Sequence, residues 1–289
     1  MSSHIHSRRW LVSLGALILA AGAPIEAQRP APMTPGLLRV CADPDNLPSS
    51  NRDGQGLENK LAELLATTWN SRLEYVWWAA PRGTMRMLNG TYCDVMLQMP
   101  TGFDMAGVTR PYYRTGYVIA QKRSATPIVS LDDPRLKTLK IGVHLFSADG
   151  ENTPPAMALS AHGVVGNLIG FSTTYIGGMN RPEDIIKAVI NDSIDVAIVW
   201  GPIAGYYDKQ LNAGLLLAPL EDDSASRIPM AYSMGMAVRR RDREFKDSLQ
   251  TFLDSKRSEI QALLQQFGMP LLPLPADSAS GTGTGGPTR

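Results

Sequence analysis

The sequence predicts an α/β protein in which short strands alternate with helices. Apolar, β-rich runs such as Leu37–Ala42 and Asp195–Trp200 recur along the chain, and amphipathic segments separate them. Prolines stand where several of the predicted helices begin, a position at which the missing N–H group costs little. This alternation favours mainly parallel sheets that helices cover on both faces.

The first block of elements begins with Leu37–Ala42 and a turn-rich segment over 43–48. A helical face then follows from the spacing of Leu57, Leu61, Leu64, Leu65 and Thr68. The other elements predicted in this block are the strands Leu73–Trp78, Asp94–Met99 and Tyr117–Lys122 and a short helix over Pro81–Leu88.

A second block repeats the alternation. Its predicted elements are strand Leu139–Val143, helix Pro154–Ala161, a helix from Pro182, strand Asp195–Trp200, a helix from Pro202 and strand Leu215–Pro219. Strand Tyr232–Val238 follows, and a long amphipathic helix is predicted over Arg243–Phe267, ended by Gly268 and Pro270.

Composition excludes several classes of function. The chain has 28 Lys and Arg against 27 Asp and Glu, a net charge of +1 that gives no electrostatic case for nucleic acid or an anionic membrane. It has four His and two Cys, too few for a zinc or copper site to be expected. Asp43 and Asp45 lack calcium-loop spacing and are interpreted as turn residues. We expect no metal and no cofactor.

The amino terminus has the pattern of a secretory signal peptide over 1–27. Arg8 and Arg9 precede the apolar run Leu11–Ala21, which is too short to span a bilayer, and cleavage is expected near Ala27. An uncleaved anchor is the alternative, and the general and twin-arginine export routes both stay open. No later segment predicts a membrane span. The Pro-rich lead-in Pro30–Pro35 and the tail Pro273–Arg289 are predicted to be disordered.

Export would place Cys41 and Cys93 in an oxidising compartment, where two thiols often pair. They lie on predicted neighbouring strands but are offset by several residues. A bridge would close a loop of about 50 residues and stabilise the fold by roughly 4 kcal/mol. Two free thiols are the alternative, and a Cα separation beyond about 7 Å would exclude the bridge.

Several spaced segments resemble the type II solute-binding proteins of ABC importers, in the amino-acid-binding branch. They are Leu38–Pro44, Gly56–Ala62, Cys93–Met96, Thr109–Tyr113 and Asp195–Tyr207. The resemblance implies two α/β lobes joined by two crossover strands, with the ligand held between them. Lobe one would comprise Leu37–Gln121 and Ala231–Phe267, and lobe two Ser124–Pro229.

A finer resemblance is to the MoxJ/XoxJ type of binding protein associated with quinoprotein methanol dehydrogenases. It rests on Cys41–Pro48, Trp77–Trp78, Pro100–Met105, Asp149–Pro155 and Val199–Tyr206. The resemblance implies a periplasmic accessory partner of a dehydrogenase that uses pyrroloquinoline quinone and a calcium or lanthanide ion, and no dedicated transporter. One departure is Ser49-Ser50, where that family usually carries an aromatic residue lining the cleft.

The cleft that the resemblance implies lacks the groups that hold a free amino acid. Binders of this branch offer an arginine fork to the carboxylate and an aspartate to the amino group. The arginine would lie within 101–106, where none occurs, and Trp200 stands where the aspartate would be. A zwitterion buried there would keep unpaired charges, so we expect no tight binding of a free amino acid.

Aromatic residues are predicted to line this cleft instead, and they suit a small apolar ligand, a peptide segment or a loop of a partner protein. The predicted cleft residues are Asp43, Asn46, Trp78, Phe103, Tyr112, Tyr113, Tyr117, Phe146, Asn152 and Trp200. The alternative is that the rings belong to lobe cores. Trp200 has the strongest case, because ligands bind at the carboxyl ends of strands in α/β sheets.

Enzymatic interpretations fail on residue types. His144 and His162 are isolated in the sequence, and Ser147–Asp149 lacks the Gly-x-Ser-x-Gly pattern of a nucleophile elbow. Gly177-Gly178 lacks phosphate-loop spacing. Arg82, Arg110 and Arg114 are candidates to replace the missing arginine fork from another direction, although Arg110 and Arg114 are expected to pair with local acids or stay solvated. The predicted function is that of a non-enzymatic accessory protein. The alternatives are an importer receptor for an apolar or weakly polar solute and, more remotely, a cyclohexadienyl-dehydratase-like enzyme.

Overall fold

A computed structural model describes residues 34–79, 83–145, 152–173, 180–223 and 226–275. The predicted signal peptide lies outside the described residues, as do most of the predicted lead-in and tail. Within the described ranges, no helix combines the length and the apolar composition that crossing a membrane requires.

The elements alternate as the sequence predicts. Up to the end of the first crossover strand they are β1 (Leu37–Ala42), β2 (Asp45–Asn46), β3 (Ser50–Asn51), α1 (Leu57–Thr68), β4 (Arg72–Trp77), α2 (Thr84–Asn89), β5 (Met96–Pro100), β6 (Gly107–Val108) and β7 (Tyr113–Gln121). After a short 3-10 helix (Pro134–Lys137) come β8 (Ile141–Leu145), α3 (Pro154–Ala161), β9 (Leu168–Ser172), α4 (Asp184–Ile190), β10 (Val196–Trp200), α5 (Gly201–Gln210), β11 (Leu216–Pro219), β12 (Ala231–Val238), α6 (Arg243–Ser255) and α7 (Arg257–Gln266).

Strand β7 connects two α/β lobes. Its residues 113–116 pair antiparallel with β12 of lobe one, whereas residues 117–121 pair antiparallel with β10 and β11 of lobe two. The chain returns between β11 and β12, where the Tyr117 N–H donates to the Met230 carbonyl. The boundaries expected near Gln121 and Pro229 remain a prediction.

The expectation of mainly parallel sheets is wrong in part. The pairs β1–β4, β8–β9 and β8–β10 are parallel, but every pair that β7 or β12 forms is antiparallel. The physical reason is that β7 and β12 pass between the lobes, so they run against the strands beside them. Neither crossover is visible in a pattern of alternating strands and helices.

Each lobe has apolar clusters of its own. In lobe one, a large cluster formed by residues such as Leu61, Met236 and Phe252 includes α1, α6 and α7, and a smaller cluster packs around Cys41, Leu88 and Cys93. In lobe two, one cluster includes α3 and a second includes α4 and α5. The two lobes therefore have separate cores, and the carboxyl end of β10, at Trp200, meets lobe one at Tyr232.

Two differences from the predicted elements concern local geometry. The predicted helix Arg243–Phe267 is two helices, because Lys256 leaves the helical region at φ −107° and ψ 20°. The break keeps Phe252 and Ile260, one on each helix, buried in the same cluster. Strand β9 was missed, since its exposed Ile169 and Gly170 give no alternation of apolar and polar residues.

A buried charge cluster ties the strands of lobe one together. Asp94 accepts from Arg39 through both carboxylate oxygens, at 3.0 and 2.8 Å, and lies 3.3 Å from Arg239 Nη2. Arg239 Nε also donates to Asp242 at 2.5 Å. Because each buried charge has an opposite neighbour, the cluster avoids the large cost of an isolated ion.

The structure joins Cys41 to Cys93, the pairing that the sequence left open. Their Cα atoms are 5.4 Å apart, inside the range that a disulfide spans. The offset predicted for the two residues disappears because Cys93 lies before β5 begins, in the turn next to β1. There Asp94 N–H donates to the Arg39 carbonyl, and Cys41 N–H donates to the Val95 carbonyl.

Removing the bridge tests its contribution to stability. The double variant Cys41→Ala/Cys93→Ala should lose about 2–4 kcal/mol of unfolding free energy, because the bridge closes a long loop in the unfolded chain. Guanidinium unfolding followed by circular dichroism measures the loss, and dithiothreitol should reduce the stability of the wild type by a similar amount. The reductant should leave the double variant unchanged. Equal midpoints for the oxidised and reduced wild type would show that the two cysteines do not pair.

Candidate functional site

Trp200 lies at the point where lobe two faces lobe one. The buried residues Val196–Val199 lead to it, and α5 begins directly after it with Pro202 in the first turn. Pro202 favours a helix start there because its fixed φ suits the first turn. Trp200 itself is half-buried. The strand therefore presents an indole at its carboxyl end, as the sequence indicates.

Two tyrosines surround this indole. Tyr117 is the register partner of Trp200 on β7, and their ring centroids are 5.2 Å apart at 67°. Tyr232 on β12 lies on the other side, with centroids 5.9 Å apart at 61°. Edge-to-face contacts of this kind stabilise aromatic pairs beyond their burial. We call Tyr117, Trp200 and Tyr232 the aromatic junction, since it joins a ring of lobe one to rings of lobe two.

Burial favours the neutral phenols at this junction. It raises the pKa of Tyr117 well above its usual range, and the neighbouring Tyr232 raises it further. Burial also raises the pKa of Tyr232, whose hydroxyl donates to the Pro229 carbonyl at 3.0 Å. The junction is thus an uncharged surface with hydroxyl groups at its edge. Tyr232 was not predicted as a site residue, and only the register of β12 against β7 could have indicated it.

Asp43 lies in the turn that leads to the β2–β3 hairpin, and Asn46 lies on β2 itself. Asp43 accepts from the Asp45 N–H at 2.9 Å, which is the turn role expected of it. Its own N–H donates to Ser50 Oγ at 3.0 Å, and that hydroxyl donates to the Asp43 carbonyl at 2.8 Å. Asn46 pairs with Ser50 across the hairpin. Ser50 is one of the two serines that stand where the family usually carries an aromatic residue. It is buried and hydrogen-bonded within this turn.

Glu58 is an acidic residue that the sequence did not indicate as part of this region. It lies in the first turn of α1. Burial raises its pKa to about 7, a hydrogen bond with Ser50 opposes this, and the nearby charge of Asp43 adds to it. The same carboxyl raises the pKa values of Tyr112 and Tyr113, after the larger effect of burial. Glu58 therefore titrates near neutral pH, next to the turn that holds Asp43.

Three of the predicted cleft rings pack against the apolar clusters of lobe one. Tyr113 is 3% exposed, and its hydroxyl donates to Gln98 Oε1 at 2.9 Å. Tyr112 packs against the same cluster and donates to the Leu97 carbonyl at 2.9 Å. Phe103 packs against the cluster around the disulfide. Tyr113 is in the core because β7 is already paired with β12 there, which leaves Tyr117 as the first ring of β7 beside Trp200.

The other predicted residues are dispersed. Trp78 follows β4 and is 39% exposed, with the backbone of Gly83 packed against its indole. Asn152 is exposed, and its backbone forms an isolated antiparallel β-bridge with Leu145. Phe146, Arg82, Ser147–Asp149 and Gly177-Gly178 lie outside the described residues. At the junction between the lobes, the structure thus brings Tyr117 and Trp200 together and adds Tyr232.

Arg110 and Arg114, the two candidate cleft arginines that the structure describes, differ in their surroundings. Arg110 is held outside it, since its guanidinium donates to Asp254 at 2.7 Å and its N–H donates to Gln250. Arg114 is half-buried on β7 opposite Ser233, and its side chain has no hydrogen bond or ion pair with another described residue. Neither arginine occupies the segment over 101–106.

His144 and His162 lie in different surroundings. Burial lowers the pKa of His144 to about 4, so its imidazole is neutral at physiological pH. His162 is less isolated than its sequence position indicates: its Nε2 lies 2.7 Å from Asp223 and its Nδ1 lies 3.4 Å from Asp132. Ser226 hydrogen-bonds Asp223 rather than His162. In the part of the chain that the structure describes, no three His, Cys, Asp or Glu side chains could hold a metal ion.

The chain is similar in sequence and structure to known periplasmic binding proteins. The crystal structure of the periplasmic binding protein XoxJ from Methylobacterium extorquens AM1 is 33% identical, with a TM-score of 0.67 over 82% of this chain and 100% of that one. The crystal structure of MxaJ from Methlophaga aminisulfidivorans MPT is 27% identical, with a TM-score of 0.71 over 81% of this chain and 100% of that one. Protein MoxJ of Methylorubrum extorquens is 27% identical over 83% of each chain. No protein-family model matches the chain.

The raised pKa of Glu58 predicts how stability depends on pH. The carboxyl has a pKa of about 7 in the folded protein and about 4.5 in the unfolded chain, so folding favours its protonated form. Its contribution to stability is present below pH 4.5 and is lost as the pH rises through 7. Glu58→Gln should therefore be more stable than the wild type at pH 8, by about 1–2 kcal/mol after allowance for partial exposure, and close to it in stability at pH 4.

Urea unfolding at the two pH values measures this difference. The matched control is Glu63→Gln on the same helix, where the carboxylate is exposed and paired with Lys60. The control should show no gain in stability at pH 8. A Glu58→Gln variant that follows the wild type at both pH values would contradict the role given to burial.

Proposed function

Because the chain belongs to the MoxJ/XoxJ family of periplasmic binding proteins, we propose that it is a periplasmic accessory partner of a methanol-type quinoprotein dehydrogenase. Its 33% identity over the full length of the XoxJ structure supports the family role. The observation that carries the proposal is the aromatic junction, whose Trp200 is at the position where the resemblance to amino-acid binders implies a charged anchor. The proposed contact is between this junction and an apolar segment of the dehydrogenase.

The chemistry of the junction suits a protein segment better than a free amino acid. Tyr117, Trp200 and Tyr232 are neutral and half-buried. Each could contribute dispersion contacts and a polar edge, the combination for which tyrosine and tryptophan are enriched at protein interfaces. A zwitterion placed there would lose hydration without gaining an arginine fork over 101–106 or a carboxylate at position 200.

The proposed role is non-catalytic. His162 is held between two aspartates, and the buried His144 is neutral, which leaves neither poised beside a described nucleophile. The pyrroloquinoline quinone and the metal ion of the proposed partner would remain in the partner. The protein would act through contact, and it would need no cofactor of its own.

A second candidate function is that of an importer receptor for an apolar or weakly polar solute. The two-lobed fold and an uncharged junction between the lobes favour it. The two candidates differ in what saturates the isolated protein: a small molecule for the receptor, and only the dehydrogenase for the accessory partner.

Tyr232 offers the sharpest test of the proposed contact. Calorimetry with the purified quinoprotein dehydrogenase of the same organism should detect binding to the wild type and to Tyr232→Phe. Binding to Tyr232→Ala should be at least about 10-fold weaker, since loss of an aromatic anchor at an interface typically costs more than 1 kcal/mol. The control is Tyr92→Ala, which removes an exposed tyrosine of lobe one from outside the junction and should bind normally.

Two results would contradict the proposal. One is equal affinity of the Tyr232→Ala and Tyr92→Ala variants for the dehydrogenase. The other is a micromolar small molecule that saturates the isolated wild type while the dehydrogenase does not bind, a result that selects the receptor instead.

A further inference from the structure

Helix α5 of lobe two packs against lobe one through glycine. Gly201 and Gly205 are one turn apart and share a helix face. A Cβ atom on Gly205 would lie 1.9 Å from the Gly268 carbonyl oxygen, and one on Gly201 would lie 2.5 Å from the Gly116 carbonyl oxygen. The backbone of α5 thus touches the backbone of the chain beyond α7 and of β7 directly, with no room for a side chain between them.

The segment on the other side of this contact is residues 267–272, which we call the C-terminal strap. Gly268 has φ +67° and ends α7, and a Cβ on it would lie 2.6 Å from the Gly205 carbonyl oxygen. Beyond it, the Pro270 carbonyl accepts from Thr115 Oγ1 at 2.7 Å, and the Leu272 N–H donates to the Arg114 carbonyl at 2.8 Å. The strap is therefore wedged between α5 and the crossover strand β7.

Side chains extend the contact along the helix. The ring of Tyr206 stacks on that of Phe267, with centroids 5.8 Å apart at 17°. Lys209 Nζ donates to the Gln266 carbonyl at 2.9 Å. From Gly201 to Lys209 the contact covers about 12 Å at 1.5 Å per residue. A rotation of lobe two by about 30° around β7 would move its far end by roughly 6 Å, which would break the stack and the hydrogen bond.

A second contact joins the lobes at the β2–β3 hairpin. Leu47 of lobe one packs against the apolar cluster of lobe two that includes α4 and α5. It lies beside Tyr206 and Tyr207 along a groove that Asp45 and Arg181 also line. Relative motion of the lobes would have to expose Leu47 as well as separate α5 from the strap.

We infer that the C-terminal strap holds the two lobes in one fixed orientation, so that the cleft does not open and close. Hinged binding proteins change lobe orientation because few contacts other than the crossover strands restrain them. Here three types of contact, backbone packing, ring stacking and a hydrogen bond, restrain the same rotation. The inference goes beyond the proposed function and concerns the isolated protein, so it holds or fails whatever the partner is.

Spin-label distances between the lobes test this inference. The native cysteines are both in the disulfide, so labels would attach only at introduced positions. Ser160→Cys on α3 and Ser258→Cys on α7 are exposed sites in lobe two and lobe one. Double electron–electron resonance on the full mature chain should give a single narrow distance distribution. The variant Gly205→Ala should broaden it or shift its mean by several ångströms, because the added Cβ must push the strap away.

The matched control is Gly166→Ala, where a Cβ meets nothing within 4 Å and the φ angle is ordinary. It should leave the distribution unchanged. If Gly205→Ala does not fold, Lys209→Ala combined with Phe267→Leu removes the hydrogen bond and the ring stack instead and should also broaden the distribution. The inference is overturned if the wild type already shows two separated distances, or if the variants at the strap reproduce the narrow wild-type distribution.

Discussion

The register of β7 is the constraint on which the rest of the structure depends. Its first residues pair with β12 and its last with β10 and β11, so one strand belongs to both lobes. A slip of one residue would turn every side chain to the opposite face. The observed register puts Tyr113 in the core of lobe one, Thr115 against the strap and Tyr117 beside Trp200. The site and the contact between the lobes thus follow from a single alignment.

The core of lobe one contains paired charges, whereas the aromatic junction contains none. Asp94 is buried with two arginines, and each of its oxygens has a donor. The junction of Tyr117, Trp200 and Tyr232, by contrast, consists of uncharged rings in contact with one another. A buried ion pair must be complete in every state of the protein, whereas a neutral ring can be exposed or covered at small cost. The junction can therefore receive an apolar surface and release it without leaving a charge unpaired.

Much of the fold could be predicted from the sequence because strands and helices have local signatures. The strand ending at Trp200 and the helix opened by Pro202 are examples, and the observed β10 and α5 begin within one residue of the predicted bounds. The break at Lys256 could not be predicted, since neither glycine nor proline marks it and the apolar spacing continues through it. The antiparallel pairing of the crossover strands could not be predicted either, because the direction of a strand within a sheet depends on contacts between residues distant in sequence.

The site was predicted only in part, because it too depends on contacts between residues that are distant in the sequence. Trp200 was found because a strand end is a local feature. Tyr232 lies 32 residues further along the sequence, on another strand, and only the pairing of β12 with β7 brings it near. His162 and Asp223 are 61 residues apart and meet in the fold. Glu58 looked like an ordinary acid in the first turn of a helix, but burial raises its pKa, the nearby charge of Asp43 adds to this, and the hydrogen bond with Ser50 opposes it.

A fixed lobe orientation and an uncharged junction are consistent with one mode of binding. A receptor that closes on its ligand needs contacts that exist only in the closed state, since a ligand can shift an equilibrium only by its differential affinity. Charged anchors on opposite lobes could supply such contacts, but the sequence has no arginine over 101–106 and has Trp200 where the resemblance implies an aspartate. A surface of rings that are already in place can bind a partner tightly for a different reason: it is preorganised, so its side chains lose little conformational freedom on binding. Once the anchors are absent, nothing is gained from lobe motion, and a strap that prevents it reduces the entropic cost of binding a partner.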